Sequence, residues 1–297
     1  MAKQPRIIVG QVAVITGGGR GIGRATAQAL AREGVKIAIG DLDAESAKKT
    51  AQDIGSGTIG LPLDVTDRDS FADFIAQTEE QLGPIDIMIN NAGIMPVGRF
   101  VDQDFATTKR QIDINIYGVH NGCELTLPSM LQRGRGHIVN IASSAGKVGL
   151  PGIATYSGTK HFVVGMSEAL RGELRGTGVE VSCVMPVIVE TELGSGLGQT
   201  RGVKHVTAED VATEIVTALK EARFDVYVPR SAGRLIQTSY LLPRRGREAV
   251  ARATKADRVL LDADQNARAA YELRASHSTT AELADADKKH LEETTKS

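Results

Sequence analysis

Residues 11–31 read QVAVITGGGRGIGRATAQALA, and this stretch decides the fold. The first six residues form an apolar, largely β-branched run, which predicts a buried strand, and the residues after position 23 are good helix formers. Five glycines lie between the two. Glycines in a strand–helix turn let the backbone approach a phosphate closely, and the helix N-terminus offers free N–H groups to a pyrophosphate. The stretch therefore predicts a dinucleotide-binding turn.

The spacing of these residues, Thr16-Gly17-x-x-x-Gly21-x-Gly23, differs from the common G-x-G-x-x-G fingerprint. A tight strand–helix turn without a ligand is the alternative interpretation. We favour the phosphate-binding turn because a strand precedes the glycines and a helix follows them.

The second predicted strand, residues 35–40, ends at Asp41. A carboxylate at this position is suited to accept hydrogen bonds from an adenosine ribose, and it repels the 2′-phosphate of NADP. The guanidinium of Arg20 would instead attract that phosphate. We favour NAD over NADP, because an arginine beside a pyrophosphate serves either cofactor. A helix N-cap is a further role for Asp41 that is compatible with both interpretations.

Strands and helices alternate along the rest of the chain, which predicts an α/β fold with a parallel sheet and helices on both faces. The further predicted strands cover residues 60–65, 85–89, 137–142, 180–186 and 225–229. The further predicted helices cover residues 44–54, 67–82, 104–130 and 155–175. The glycine-rich residues 192–208 predict a mobile loop or lid.

The chemistry is predicted at Ser143, Tyr156 and Lys160. Ser143 follows a predicted buried strand and should emerge at its carboxyl end, where open α/β sheets bind ligands. Tyr156 and Lys160 are four residues apart, so a helix would place both on one face. An ammonium beside a phenol should lower the phenol's pKa and suit it to general acid–base catalysis. A Tyr-x-x-x-Lys pair also occurs by chance in a chain this long, so its weight comes from its context.

Composition excludes several classes of function. The 35 Lys and Arg residues balance the 36 Asp and Glu residues, so no bulk charge argues for nucleic acid. The six histidines show no metal-binding spacing, and the two cysteines, Cys123 and Cys183, are expected to be buried free thiols. No apolar run reaches the ~18 residues of a membrane span, and no signal peptide is evident. We expect a cytoplasmic protein with a small-molecule substrate and no metal.

Residues 1–243 are predicted to form the catalytic domain, and residues 244–297 a C-terminal extension. Segment 244–258 carries six basic residues against two acidic ones and follows the apolar residues 235–242. Such a pattern suits an anionic membrane surface. We favour instead a solvated helix that packs on a sister subunit, because charge runs usually face water. Residues 275–297 are polar and predict a flexible tail.

Five motifs in order give the chain a resemblance to the short-chain dehydrogenase/reductase family over about residues 8–243. They are the glycine turn, the Asn90-Asn91-Ala92-Gly93 segment, Asn115, Ser143 with the Tyr156–Lys160 pair, and the turn of residues 186–191. The resemblance implies a single Rossmann-type, doubly wound sheet of about seven parallel strands. It also implies a homo-dimer or homo-tetramer built on the helices around Asn115 and Lys160.

The resemblance further implies residue roles. Tyr156 would be the general acid–base, Lys160 would lower its pKa and bind the nicotinamide ribose, and Ser143 would polarise the substrate oxygen. Asn115 would hold a water that links Lys160 to solvent. The implied cofactor contacts are Gly17, Arg20, Gly21, Ile22, Gly23, Asp41, Asp64, Val65, Asn91, Ala92, Gly93, Tyr156, Lys160, Pro186, Val189 and Thr191.

These roles suggest an NAD(H)-dependent oxidoreductase that interconverts a secondary alcohol and a ketone. An NADPH-dependent carbonyl reductase and a non-catalytic dinucleotide-binding regulatory protein are the alternatives. Val187 departs from the glycine usual in the family and puts the shape of the pocket in doubt. The expected pocket is apolar and favours a lipophilic substrate; its candidate residues are Met95, Val148, Leu150, Met185, Val187, Leu193 and Leu197.

Overall fold

A computed structural model describes residues 5–198 and 205–276. Seven strands form one sheet in the order β3-β2-β1-β4-β5-β6-β7, and every neighbouring pair is parallel. The strands are β1 Val12–Thr16, β2 Lys36–Asp41, β3 Ile59–Pro62, β4 Ile87–Asn90, β5 Gly136–Ile141, β6 Val179–Pro186 and β7 Asp225–Val228. The predicted parallel α/β sheet of about seven strands is confirmed.

The helices are α1 Gly21–Arg32, α2 Ala44–Ile54, α3 Arg68–Leu82, α4 Phe105–Ile112, α5 Gly118–Arg133, α6 Ala154–Glu173, α7 Ala208–Glu221, α8 Arg230–Ser239, α9 Arg244–Ala253 and α10 Gln265–Ser276. The helix predicted over residues 104–130 is therefore not one regular helix. A π-helical turn, Asp113–Tyr117, separates α4 from α5. Insertions of this type are common at functional sites, and this one contains Asn115.

Both faces of the sheet are buried, because strand side chains alternate between the faces. Ala13 and Ile15 of β1 pack under α1, α2 and α7 in one apolar cluster. Val12 and Val14 point to the opposite face, into a second cluster with residues of α3, α5 and α6 such as Phe71. The near-continuous apolar strands of the sequence are thus explained by helices on both sides.

The strand order reverses at β1, which lies between β2 and β4. Open α/β sheets bind ligands in the crevice at such a point, outside the carboxyl ends of the strands. The glycine turn after β1 and the Asn90-Asn91-Ala92-Gly93 segment after β4 both lie at this crevice. The topology therefore brings together motifs that are about 70 residues apart in the chain.

The C-terminal residues differ in part from the prediction. Residues 275 and 276, assigned to a flexible tail, instead end α10, and the remainder of that segment lies outside the described residues. The predicted mobile loop, residues 192–208, contains a short 3₁₀ turn at Glu192–Gly194 and reaches α7 at Ala208. Its residues 199–204 also lie outside the described part. None of the described helices is long and apolar enough to cross a membrane.

Candidate active site

The glycine turn is tied to the segment that follows β4. Thr16 Oγ1 accepts hydrogen bonds from the backbone N–H groups of Asn91 and Ala92, both at 3.0 Å. Asn91 Nδ2 donates to the carbonyls of Thr16 and Gly17, both at 2.9 Å. These four bonds fix the two strand ends against each other, so the turn is held in one conformation.

Two glycines of this turn cannot carry a side chain. A Cβ on Gly17, whose φ is +61°, would lie 2.9 Å from the Cα of Ala92. A Cβ on Gly23 would lie 2.4 Å from the carbonyl oxygen of Gly17. Helix α1 begins at Gly21, and no side chain caps its N-terminus. A bare backbone cradle next to uncapped helix N–H groups fits the pyrophosphate of a dinucleotide.

Asp41 ends β2 beside this cradle. Its Oδ2 accepts a 2.9 Å hydrogen bond from Gly19 N, and its Oδ1 accepts a 3.1 Å bond from Asp43 N. Burial raises the pKa of Asp41, and the two backbone hydrogen bonds oppose that rise. Arg20 forms an ion pair of 2.9 Å with Asp43 and one of 3.5 Å with Glu192. The carboxylates of Asp41, Asp43 and Glu192 therefore all lie around the Arg20 guanidinium.

Asn115 is fully buried in the π-helical turn. Its Oδ1 accepts from Ile94 N at 2.9 Å, and its Nδ2 donates to Ile94 O at 3.0 Å and to Thr159 Oγ1 at 3.1 Å. A Cβ on Gly93 would lie 3.2 Å from Asn115 Oδ1 and 3.6 Å from Lys160 Nζ. Because position 93 is glycine, the space between the amide and the ammonium stays open.

Ser143, Tyr156 and Lys160 meet at the carboxyl end of β5. Ser143 follows the strand by two residues, and the other two lie on the first turns of α6. The Ser143 side chain lies beside the Tyr156 phenol and acts to lower the pKa of that phenol. Lys160 Nζ lies 5.5 Å from the centre of the Tyr156 ring and donates a 2.8 Å bond to Ile141 O. The predicted trio is thus assembled.

The expected lowering of the Tyr156 pKa is wrong for this structure. Burial raises the pKa of Tyr156 to about 12, and the neighbouring Ser143 hydroxyl offsets only part of that rise. Burial also lowers the pKa of Lys160 to about 8. The reason is that Tyr156 and Lys160 are both enclosed, and burial disfavours the charged form of each.

One cavity of about 630 Å³ joins these groups. It is lined by most of the predicted site residues: Gly17, Arg20, Gly21, Ile22, Asp41, Asp64, Val65, Asn91, Ala92, Gly93, Ser143, Tyr156, Lys160, Pro186, Val189 and Thr191. Gly23 and Asn115 lie behind the wall rather than on it. Among the described residues, no group of acidic, histidine or cysteine side chains could hold a metal ion.

The apolar end of the cavity is partly as expected. Met95, Leu150, Val187, Leu193 and Leu197 line it. Met185 is instead in the core below the sheet, and Val148 is 39% exposed outside the cavity. Both predictions were therefore wrong, because sequence proximity to a strand end does not give the direction of a side chain.

Several lining residues were not predicted at all. Six of them come from the C-terminal part of the chain: Ala256, Val259, Leu260, Tyr271, Arg274 and Ala275. Their sequence carries a polar helical pattern with no motif, so only the chain's path in three dimensions shows their position.

Comparison with known proteins shows a family similarity that includes the residues of this site. A sequence model described as short chain dehydrogenase matches residues 11–202. The chain belongs to this family. The match covers the glycine turn, the Asn91 segment, Ser143 and the Tyr156–Lys160 pair. As a short-chain dehydrogenase, the chain has an oxidoreductase fold with a nicotinamide dinucleotide site.

The relatives differ in length and in the functions that their names describe. The chain is 38% identical over 224 residues to glycine betaine reductase ATRR of Emericella nidulans, covering 71% of this chain and 18% of that protein. It is 38% identical over 200 residues to the probable oxidoreductase EphD of Mycobacterium tuberculosis, covering 66% of this chain and 34% of that protein. The chain thus spans about a third or less of the length of these relatives. The ketoacyl reductase HetN of Nostoc sp. is closer in size: 32% identity over 231 residues covers 74% of this chain and 79% of HetN.

Solved structures show the same fold with a dinucleotide bound. A short-chain dehydrogenase/reductase from Burkholderia phymatum in complex with NAD superposes with a TM-score of 0.73 at 28% identity, covering 79% of this chain and 94% of that chain. The 3-ketoacyl-(acyl-carrier-protein) reductase from Brucella melitensis, complexed with NADH, gives 0.69 at 25% identity, covering 74% and 97%.

Proposed function

We propose that this short-chain dehydrogenase is an NAD(H)-dependent oxidoreductase that interconverts a secondary alcohol and a ketone. The observation that carries the proposal is that Ser143 and Tyr156 line the same cavity as the glycine turn. A phenol beside a serine hydroxyl can hold a substrate oxygen between the two groups. A purely binding protein needs no such pair.

Each residue has a separate task in this proposal. Tyr156 gives its proton to the carbonyl oxygen in reduction and takes a proton from the alcohol in oxidation. Ser143 orients the same oxygen. Lys160 supplies positive charge beside the phenol and a donor for the nicotinamide ribose. A bound nicotinamide dinucleotide supplies or accepts the hydride.

Asn115 has a positioning role. Its amide fixes the backbone of Ile94 and the hydroxyl of Thr159, the residue before Lys160. The open space at Gly93, between Asn115 Oδ1 and Lys160 Nζ, suits a water that relays protons from the lysine to solvent.

The carboxylates around Arg20 support NAD rather than NADP. A 2′-phosphate would meet the Asp41 carboxylate directly, and the Arg20 guanidinium that could attract it is already paired with Asp43 and Glu192. The alternative, an NADPH-dependent carbonyl reductase, requires Arg20 to leave both partners. The non-catalytic alternative leaves the intact Ser143, Tyr156 and Lys160 unexplained.

The substrate end of the cavity supports a lipophilic substrate. Met95, Leu150, Ile153, Leu193 and Leu197 present mostly carbon to the space beside Tyr156. Two of the similar proteins are described as ketoacyl reductases, which is consistent with a ketone on an apolar chain.

We further propose a cytoplasmic location and a homo-oligomeric assembly. Both cysteines are buried free thiols, which suits a reducing cytoplasm. We place the subunit contact of a homo-dimer or homo-tetramer on α5 and α6. On α6, a Cβ added to Gly158, Gly165 or Gly172 would meet no atom within 4 Å, so another helix could approach closely.

The test is a comparison of the wild-type protein with Tyr156→Phe. The variant should lose at least about 100-fold in kcat for ketone reduction, the size of a typical proton-transfer contribution. Its NADH affinity, measured by fluorescence titration, should stay within about twofold of the wild type. Unchanged turnover would remove Tyr156 from the mechanism, and a wild-type protein that binds neither NADH nor NADPH would disprove the dinucleotide site.

A further inference from the structure

Helix α10 lies outside the part of the chain that matches the family, yet it packs on the substrate end of the cavity. Leu260, Ala263, Met95, Leu197 and Tyr156 form one buried apolar cluster. The loop after β4 and the loop after β6 thus share a core with the C-terminal segment. This cluster is separate from the two clusters that cover the sheet.

Arg268 joins α10 to both loops. Its side chain is fully buried. Nη1 donates to the carbonyls of Leu193 and Ser195 at 3.0 and 2.9 Å, and Nη2 donates to Met95 O at 2.9 Å. Nε pairs with Glu272 at 2.8 Å. A buried guanidinium is costly unless its donors are used, and here they cross-link two loops that come from different strands.

Two glycines allow the C-terminal segment to approach this closely. A Cβ on Gly196, whose φ is +67°, would lie 2.6 Å from Asp264 O and 3.0 Å from Arg268 Cγ. A Cβ on Gly152, whose φ is +87°, would lie 3.2 Å from the backbone of Leu260. Close backbone contact at both glycines shows that the C-terminal segment packs tightly against the loops that carry them.

Tyr271 brings a second phenol to the cavity. Its hydroxyl accepts a 2.7 Å hydrogen bond from Met95 N, and the side chain lines the cavity. Burial raises the pKa of Tyr271, so the phenol keeps its proton at neutral pH. Among the described residues, no hydrogen-bond acceptor takes that proton. Tyr271 and Tyr156 both line the cavity.

We propose that α10 is the specificity-determining wall of the substrate pocket, with Tyr271 as a hydrogen-bond donor to the substrate and Arg268 as a positioning residue. This inference rests on the proposed function. Tyr156 engages the reacting oxygen, and Tyr271 offers its proton to a second oxygen elsewhere on the same substrate. The remaining wall near α10 is apolar, including Val259 and Leu260. The matching substrate is an apolar ketone that carries a second carbonyl group.

The role of Tyr271 as a donor to the substrate is tested with ethyl 3-oxohexanoate and 4-nonanone. The two ketones have the same chain length and ketone position, but only the first carries an ester. Tyr271→Phe removes only the hydroxyl. The ratio of kcat/KM for the ester-containing ketone to that for the plain ketone should fall about fivefold in the variant, the effect of one lost hydrogen bond. NADH affinity should stay unchanged. An unchanged ratio would overturn the role of Tyr271.

The positioning role of Arg268 is tested by hydrogen exchange, which needs no turnover. Arg268→Met keeps much of the side-chain volume and removes the guanidinium. Backbone amides of residues 94–98 and 193–198 should exchange at least about tenfold faster in this variant, since their cross-link is lost. The matched control is Arg252→Met on the exposed face of α9, which should leave both segments unchanged. Equal exchange in the two variants would overturn the positioning role of Arg268.

Different results would overturn the proposed oxidoreductase function and the inference about α10. If the wild-type protein reduces neither ketone with NADH or NADPH, the proposed function fails for this substrate class, and the exchange experiment still decides whether α10 holds the pocket loops. If the wild-type protein reduces both ketones and Tyr271→Phe keeps the wild-type ratio, the oxidoreductase proposal stands and the inference about Tyr271 is wrong.

Discussion

Lys160 Nζ lies 5.5 Å from the centre of the Tyr156 ring and gives its 2.8 Å hydrogen bond to the Ile141 carbonyl. Lysine and tyrosine are both buried, with 3% and 7% of their surface exposed. Burial lowers the pKa of Lys160 to about 8 and raises that of Tyr156 to about 12. At pH 7 the lysine is therefore charged and the tyrosine holds its proton, which is the state needed to protonate a carbonyl oxygen.

The first prediction concerns the pH dependence of ketone reduction. The rate should be constant from about pH 6 to 7 and should fall as pH rises through 8, because Lys160 then loses the charge that assists Tyr156. The measurement is kcat/KM against pH at saturating NADH. In Lys160→Arg, whose side chain stays charged, the fall near pH 8 should disappear. A wild-type profile that is flat to pH 10 would contradict the assignment.

The second prediction concerns stability. The pKa of Lys160 is about 8 when folded and about 10.5 when unfolded. Between these values the unfolded chain binds more protons at Lys160, so the contribution of Lys160 to the unfolding free energy should rise with pH from about 8 to 10.5. The buried thiols of Cys123 and Cys183, whose folded pKa values are raised to about 12, oppose this rise above about pH 9, so the effect is read from the difference between wild type and variant. Lys160→Met should remove the contribution of Lys160 and stabilise the protein at pH 7 by on the order of 3 kcal/mol. Urea melts at pH 7 and pH 10 measure both effects, and a variant less stable than wild type at pH 7 would refute the argument.

The third prediction concerns cofactor choice. Asp41→Asn keeps an acceptor for Gly19 N and removes the charge that repels a 2′-phosphate. The ratio of the NADPH Kd to the NADH Kd should fall about tenfold, equivalent to about 1.4 kcal/mol. Fluorescence titration with both dinucleotides gives the ratio. Asp53→Asn is the control, since Asp53 pairs only with Arg24 on the surface of the described chain. An equal change of the Kd ratio in this control would mean that the ratio responds to net charge and not to Asp41.

The fourth prediction concerns the glycine turn. Gly23→Ala places a Cβ 2.4 Å from Gly17 O and 2.7 Å from Asn91 Nδ2, so the turn must shift. NADH binding should weaken at least about tenfold, in line with the loss of one or two backbone hydrogen bonds. Gly172→Ala on α6 meets nothing within 4 Å and should leave NADH binding unchanged. Wild-type NADH affinity in Gly23→Ala would show that the turn does not hold the dinucleotide.

Much of the fold was predictable because its signals are local. The strand of residues 12–16, the glycines after it and the helix from Gly21 onward follow each other in the chain. Helix α2 begins at Ala44 and ends at Ile54 as predicted, although its N-cap is Asp43 and not Asp41. The spacing of Tyr156 and Lys160 likewise needed only the period of a helix. What failed locally was the π-helical turn at Asn115, which no pattern in residues 104–130 indicates.

The sequence by itself determined the family and the order of the strands along the chain, and it predicted the residues proposed to carry the chemistry, because each depends on residues close together in the chain. The tertiary structure decided the rest. It decided that burial raises the pKa of Tyr156, because desolvation depends on everything packed around the ring. It also decided that Tyr271 lines the cavity and that Arg268 bonds its loops, although both are more than 170 residues from Met95, since long-range contacts leave no periodic signal in the chain.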